Sequence, residues 1–302
     1  MAVKTVQAVV NGQTYTLNYN STSKKYEATI TAPSKSSYTK EGHYYPVTIK
    51  ATDYAGNTAT KDTSDSTLGE SLKLKVKERV APTIIITYPT ASATIINNKP
   101  VIAWKVTDDD SGVNQNTIGV TIDSGSKVTS GITKTAITGG YECTYTPTTA
   151  LADGSHTIKI DASDNDGNAA TQKSVTFKID TVPPTLSVSS PVDNLVTNQA
   201  SCTVSGTTND ITSSPVTLTV KLNSGAAEAV TVSDNGAFTK TLTLTNGKNT
   251  ITIVATDSAG KSTTVTRTVT LDTGAPVISS VTITPNPVDC GATYVIAVEV
   301  TD

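Results

Sequence analysis

Three stretches of this chain repeat one another, and internal repetition constrains a fold more tightly than composition does. They are TIKATDYAGNTAT (48–60), TIKIDASDNDGNAAT (157–171) and TITIVATDSAGKSTT (250–264). In each, apolar residues alternate with polar ones up to an Asp-x-x-Gly turn, and a Thr-rich run follows. Val47, Ile49 and Ala51 take the places of Ile158, Ile160 and Ala162, and of Ile251, Ile253 and Ala255. A period of two puts each trio on one face of a strand. The turn glycines Gly56, Gly167 and Gly260 then close a hairpin.

A second punctuation follows each hairpin: RVAPTIIITYP (79–89), DTVPPTLSVSSP (180–191) and DTGAPVISSVTITP (272–285). Proline ends the preceding strand and opens the next on an edge. These junctions divide the chain into 1–79, 80–180, 181–273 and 274–302, with linkers so short that neighbours are expected nearly in line. A length of 302 residues suits two or three domains with real cores. Thr, Val, Ile, Ser and Gly dominate, beside one Met, two Phe and one Trp, which is strand-forming chemistry.

The ATDxAGN hairpin, the Asp-Thr-x-x-Pro junctions and the run ADGSHTIKI (152–160) resemble tandem bacterial immunoglobulin-like domains. The resemblance covers essentially the whole chain. It implies an all-β fold, a linear array of seven-stranded sandwiches of the kind found in bacterial surface adhesins and phage tail or capsid proteins. Such domains serve mostly as spacers, stalks and sugar- or protein-binding modules, so the resemblance specifies fold more than function. An antibody-type disulfide is missing, because Cys143, Cys202 and Cys290 fall in three different repeats. They read as small buried or half-buried thiols. The tyrosine-corner position holds Tyr45, His156 and Asn249.

With strands lettered A to G, 80–180 and 181–273 read as complete, whereas 1–79 starts at strand C and 274–302 supplies strands A and B alone. Residues 275–302 match 81–108 in length at 28 residues, and VIAVEVTD (295–302) shares six of eight residues with VIAWKVTD (101–108). The expectation is strand donation, in which 274–302 of one molecule completes 1–79 of another and copies polymerise head to tail. Ile278, Val281, Ile283, Ile296, Val298 and Val300 are the donor residues; Val9, Tyr15, Tyr26, Val47 and Ile49 are the acceptor residues. Charge agrees: 1–79 is net +4 and 274–302 net −3. A longer adhesin cut at convenient points, or missing halves supplied by other proteins, would also leave such ends.

The acidic loops TDDDSG (107–112) and DASDNDGN (161–168) read first as solvated turns. Asp161, Asp164, Asp166 and Asn168 are also a weak calcium candidate, lacking the full loop pattern. No other cofactor is expected. His43 and His156 lie in different repeats without zinc-ligand spacing. No nucleophile elbow, phosphate loop or carboxylate pair can be singled out, so no enzyme is expected.

Seven tyrosines (15, 19, 26, 38, 44, 45 and 54) crowd the first repeat, as interface residues or as a glycan platform. The expected partner is therefore another copy, with a cell-surface glycan or protein as the rival. Net charge of −3 gives no nucleic-acid footprint, and no apolar run reaches membrane-spanning length. The start MAVKTVQAVVNGQTYT carries no secretory signal pattern. The expected place is an extracellular fibre, on a bacterial surface or a phage virion.

Overall fold

Each Asp-x-x-Gly repeat folds as expected in the computed structural model, which describes residues 2–302. Gly56, Gly167 and Gly260 take φ of +91°, +94° and +86°, a region that side chains with a Cβ rarely adopt. Their N–H groups donate to the carbonyls of Asp53, Asp164 and Asp257. Among the described residues there is no α-helix, only strands and three short 3-10 turns. The chain falls into two compact units, 1–179 and 180–302.

In the first unit, residues 2–79 form a single sheet of β1 (Val3–Val10), β2 (Gln13–Asn20), β3 (Lys25–Glu27), β4 (Tyr45–Asp53), β5 (Thr58–Lys61) and β6 (Lys73–Leu74). The strand order is β3-β2-β1-β4-β5, with β6 also on β4. Residues 80–179 add β7 (Thr83–Tyr88), β8 (Thr94–Ile95), β9 (Ile102–Thr107), β10 (Gly119–Ile122), β11 (Thr133–Ile137), β12 (Gly140–Tyr145), β13 (Gly154–Asp161) and β14 (Lys173–Ile179). These make two sheets, β10-β13-β14-β8 and β11-β12-β9-β7.

The second unit holds β15 (Thr185–Ser190), β16 (Leu195–Thr197), β17 (Ser201–Asn209), β18 (Thr217–Leu222), β19 (Glu228–Val230), β20 (Ala237–Thr243), β21 (Gly247–Thr256) and β22 (Ser262–Leu271). They pair as β15-β17-β20 and β16-β22-β21-β18-β19. A separate two-stranded ribbon, β23 (Val277–Thr284) and β24 (Val295–Thr301), follows.

The cores differ in a way that matters. Fourteen residues, Trp104 and Phe177 the largest, are buried together between the two sheets of 80–179. Twelve are buried in 181–273, around Ile251, Ile253 and Val269. Residues 2–79 bury only Val10, Tyr45 and Val76 as a cluster, with Tyr15, Val47 and Leu74 half-buried against it. A single sheet has no second sheet to close over its apolar face, and a cluster of three among only six buried apolar residues, Val6, Ala8 and Leu72 being the others, is a poor core.

The tyrosine-corner position is filled by three chemically different residues, each bonded to an upstream backbone carbonyl. The Tyr45 hydroxyl donates to the Lys35 carbonyl at 3.0 Å, and the Asn249 amide donates to the Thr245 carbonyl at 2.7 Å. The His156 imidazole lies 2.7 Å from the Ala152 carbonyl and 2.8 Å from Asp123. Each ties the start of its central strand to backbone upstream. Burial pulls the His156 pKa down, but the Ala152 carbonyl and the Asp123 carboxylate outweigh it and hold the imidazole above its ordinary value.

Candidate functional site: an uncovered hairpin and repeated carboxylate clusters

The ribbon β23–β24 reproduces the pairing of strands A and B of the complete domain at both ends, with its bulge at Ile278–Ser280 where the complete domain has it at Ile86–Tyr88. Ile278 faces Val300 and Val281 faces Val298, as Ile84 faces Val106 and Ile86 faces Trp104. The environment is opposite. Ile102, Trp104 and Val106 are 0% exposed, whereas Ile296, Val298 and Val300 are 55%, 50% and 53% exposed. Ile278, Val281 and Ile283 are exposed as well, and no residue of 272–302 is buried. The six residues expected to be donors therefore lie together on one ribbon with their side chains exposed. So contiguous an apolar face is unusual for a surface at rest in water.

On the other side, β1 buries Val6, Ala8 and Val10. Ala8 pairs with Tyr15 and with Ile49, and Val10 pairs with Val47, so these three half-buried residues share that face. Val9 does not: its partners are Thr14 and Thr48, and strand alternation turns it to the opposite face. Val6 and Ala8 correspond to the buried Ile118 and Val120, which carried the correct phase. Tyr26 is half-buried, its ring 5.3 Å from that of Tyr19 across β2 and β3.

The comparison of repeats singles out one further segment of residues 2–79. YECTYTP (141–147) corresponds to YEATITAP (26–33). In the complete domain this stretch is β12, in which Cys143 faces Trp104 and Tyr145 faces Ile102. Residues 28–33 form no strand. The strand that β12 pairs with, β9, has no counterpart in residues 2–79. Sequence reasoning missed this segment, although its match to β12 is legible.

Carboxylates converge at two places. In the first unit, Glu78, Asp108 and Asp164 each bring an oxygen within 4.8 Å of the others. Asp108 accepts from the N–H groups of Asp110 and Gly112, and Glu78 accepts from that of Ser111 at 2.6 Å. Asn168 donates both its backbone and side-chain N–H to Asp164, each at 2.7 Å. Burial holds the Glu78 carboxyl above its ordinary value despite the bond from Ser111.

In the second unit, Asp180, Asp210 and Asp257 meet within the same 4.8 Å and are 0%, 7% and 5% exposed. Asp210 accepts from the N–H groups of Thr212 and Ser213. One oxygen each of Asp180 and Asp257, and the Ser213 hydroxyl, are buried without a hydrogen-bond partner. Among the described residues no salt bridge reaches any of these six carboxylates. Each cluster joins an acid at the domain junction, the Asp directly after β9 or β17 and the Asp of the Asp-x-x-Gly turn.

The four residues considered for calcium do not converge. Asp161 lies on β13 and accepts from Gln172 at 2.9 Å, and Asp166 accepts from the Glu78 N–H at 3.0 Å. Asn168 spends its amide on Asp164. Only Asp164 enters a cluster, because the turn points its neighbours elsewhere. Asp108, in the other acidic loop, joins it.

Cys143 and Cys202 are buried, and desolvation pushes the Cys143 thiol up to about 11. Cys290 departs from the expectation of a buried or half-buried thiol: it lies in the loop of the uncovered ribbon and is exposed. Tyr54 and Tyr19 are exposed at 73% and 56%.

The profile described as "Bacterial Ig-like domain" matches residues 90–181, and that described as "Glucodextranase, domain B" matches residues 184–273. Bacillopeptidase F of Bacillus subtilis (strain 168) is 32% identical over 129 residues, which are 43% of this chain and 8% of that protein. The chain thus spans a small part of the length of the relative it matches. Fibronectin(III)-like modules of Clostridium thermocellum CbhA share 15% identity at a TM-score of 0.36, covering 63% of this chain and 94% of theirs. Sidekick-1 immunoglobulin domains 1–4 share 12% at 0.38, covering 89% and 68%. No helix among the described residues is long and apolar enough to cross a membrane. The chain is a tandem of immunoglobulin-like β-sandwich domains, of which residues 90–181 match the bacterial Ig-like family.

Proposed function

We propose that the chain is a non-catalytic structural spacer on the outside of a bacterial cell or phage virion, and that it assembles head to tail. The β23–β24 ribbon of one copy supplies the two strands that would cover residues 1–79 of the next. One observation carries the reading: a ribbon paired at both ends as strands A and B are, whose apolar residues are exposed where their equivalents in 80–179 are buried.

Magnitudes support it. Burying six such side chains is worth roughly 10 kcal/mol or more at about 1.5–3 kcal/mol each. Association costs about 4–15 kcal/mol in lost freedom and ordering. Apolar burial alone therefore comes close to balance. The margin comes from backbone pairing, in which β24 gives residues 28–31 the ladder they lack, with Val298 opposite Ala28 and Ile296 opposite Ile30. Opposite net charges of +4 and −3 on the two segments favour encounter. The contact is heterologous, and the preferred product is an open filament.

The rival reading, a carbohydrate- or protein-binding module, rests on the exposed Tyr19 and Tyr54. Negative-stain microscopy of the intact chain beside one ending at Thr273 separates the two. Long threads from the first and short particles from the second are expected. Short particles from both would overturn exchange between copies and favour the binding module.

A further inference from the structure

The two carboxylate clusters are one site repeated. Glu78 and Asp180 both stand four residues before the junction proline, at Pro82 and Pro184. Asp108 and Asp210 directly follow β9 and β17, and Asp164 and Asp257 begin the turn. Ser111 and Ser213 each stand three residues after the Asp that follows the strand, and both hydroxyls are buried without a partner.

Like charges this close repel: at the 4.8 Å ceiling on their separation, two carboxylates cost about 3.5 kcal/mol even at an effective dielectric of about 20. Burying them without a counter-charge adds desolvation. The buried oxygens of Asp180 and Asp257 that lack partners point to a cation as the missing neighbour. Oxygens on opposite sides of one calcium ion lie about 4.6–5.2 Å apart, and calcium takes carboxylate, carbonyl and hydroxyl oxygens together. Mutual separations of no more than 4.8 Å are short enough for one such ion to reach all three carboxylates.

A third set of the same residues exists, divided along the chain. Asp272 stands four residues before Pro276, and Asp302 follows β24 as Asp108 follows β9. Asp272 accepts from the Gly274 N–H at 2.9 Å, as Asp180 accepts from that of Val182 at 3.2 Å. The turn member is Asp53. Asn57 donates its backbone and side-chain N–H to Asp53 at 2.9 Å each, the arrangement Asn168 makes on Asp164.

We propose that the Asp180–Asp210–Asp257 cluster binds a divalent cation of the calcium class. Asp272 and Asp302 of one copy, with Asp53 of a second, rebuild the same site at the assembly joint. Assembly then takes up the ion, and this second part rests on the strand-exchange reading. Strand pairing sets the register of the joint and the cation locks it.

The test uses the full chain with calcium chloride or with chelator. Calcium per chain is measured by equilibrium dialysis, and assembly by sedimentation. Parent chains are expected to assemble at least tenfold more tightly with calcium. Asp302→Asn, at an exposed position, should assemble equally in both conditions, at the parent's calcium-free level. Asp257→Asn, with its fold checked by calorimetry, should bind one calcium fewer per chain. Unchanged stoichiometry in Asp257→Asn would overturn the buried site. Equal parental assembly with and without calcium would overturn the joint site while leaving strand exchange standing. No assembly in either condition would overturn both strand exchange and the joint site.

Discussion

Val298→Asp is expected to abolish assembly while 80–180 and 181–273 stay folded. Val298 stands where Trp104 stands in the complete domain, and Trp104 is 0% exposed at the centre of its core. In the free ribbon Val298 is 50% exposed, so the carboxylate costs little there. In the joint it would be buried opposite Ala28 with no cation in reach. An unpaired buried charge costs about 3–5 kcal/mol. That weakens association by roughly two to four powers of ten, at about 1.4 kcal/mol per tenfold. Glu299→Lys is the control on the other face of the same strand, where the complete domain itself carries Lys105. Sedimentation should show threads for Glu299→Lys and single chains for Val298→Asp. Equal assembly of the two would rule out this register.

The second large effect is expected from Trp104→Ala. Removing a fully buried tryptophan costs about 3–5 kcal/mol, a large share of the stability of one small domain. One feature pulls the value to the lower end. The Trp104 indole N–H is buried without a partner, and a donor left so costs about 1–3 kcal/mol that its removal gives back. A loss of about 3 kcal/mol lowers the melting temperature of a domain this size by roughly 15 °C. Calorimetry should move the transition of 80–180 and leave that of 181–273 in place, since their cores share no residue. Were both transitions to move together, the two domains would unfold as one.

Much of this is legible in the sequence, because repetition lets one copy annotate another. The Asp-x-x-Gly turns and the match of 275–302 to 81–108 both follow from aligning the chain with itself. The phase of β1 was legible too, but counting from Val9 instead of Val6 moved one residue to the wrong face, since alternation has a period of two. The corner bond of Tyr45, His156 and Asn249 was not legible, because hydroxyl, imidazole and amide share no common letter and their carbonyl partners lie ten, four and four residues upstream. The carboxylate clusters stayed hidden for another reason. Their members come from a junction, a strand end and a turn far apart in sequence, whereas local spacing drew attention to four residues of one loop. Aligning Glu78 with Asp180 and Asp272 would have exposed them.

Oxidative cross-linking at the joint tests strand exchange most directly. Residues facing each other across paired strands lie within disulfide reach. Ala28→Cys combined with Val298→Cys places thiols opposite each other only if β24 of one copy lies against residues 28–31 of another. Cys290→Ser removes the exposed native thiol, and Cys143 and Cys202 are buried. A ladder of covalent multimers under mild oxidation is predicted, and its loss when Thr29→Cys replaces Ala28→Cys. Single chains throughout, or equal ladders from both pairs, would contradict strand exchange between copies.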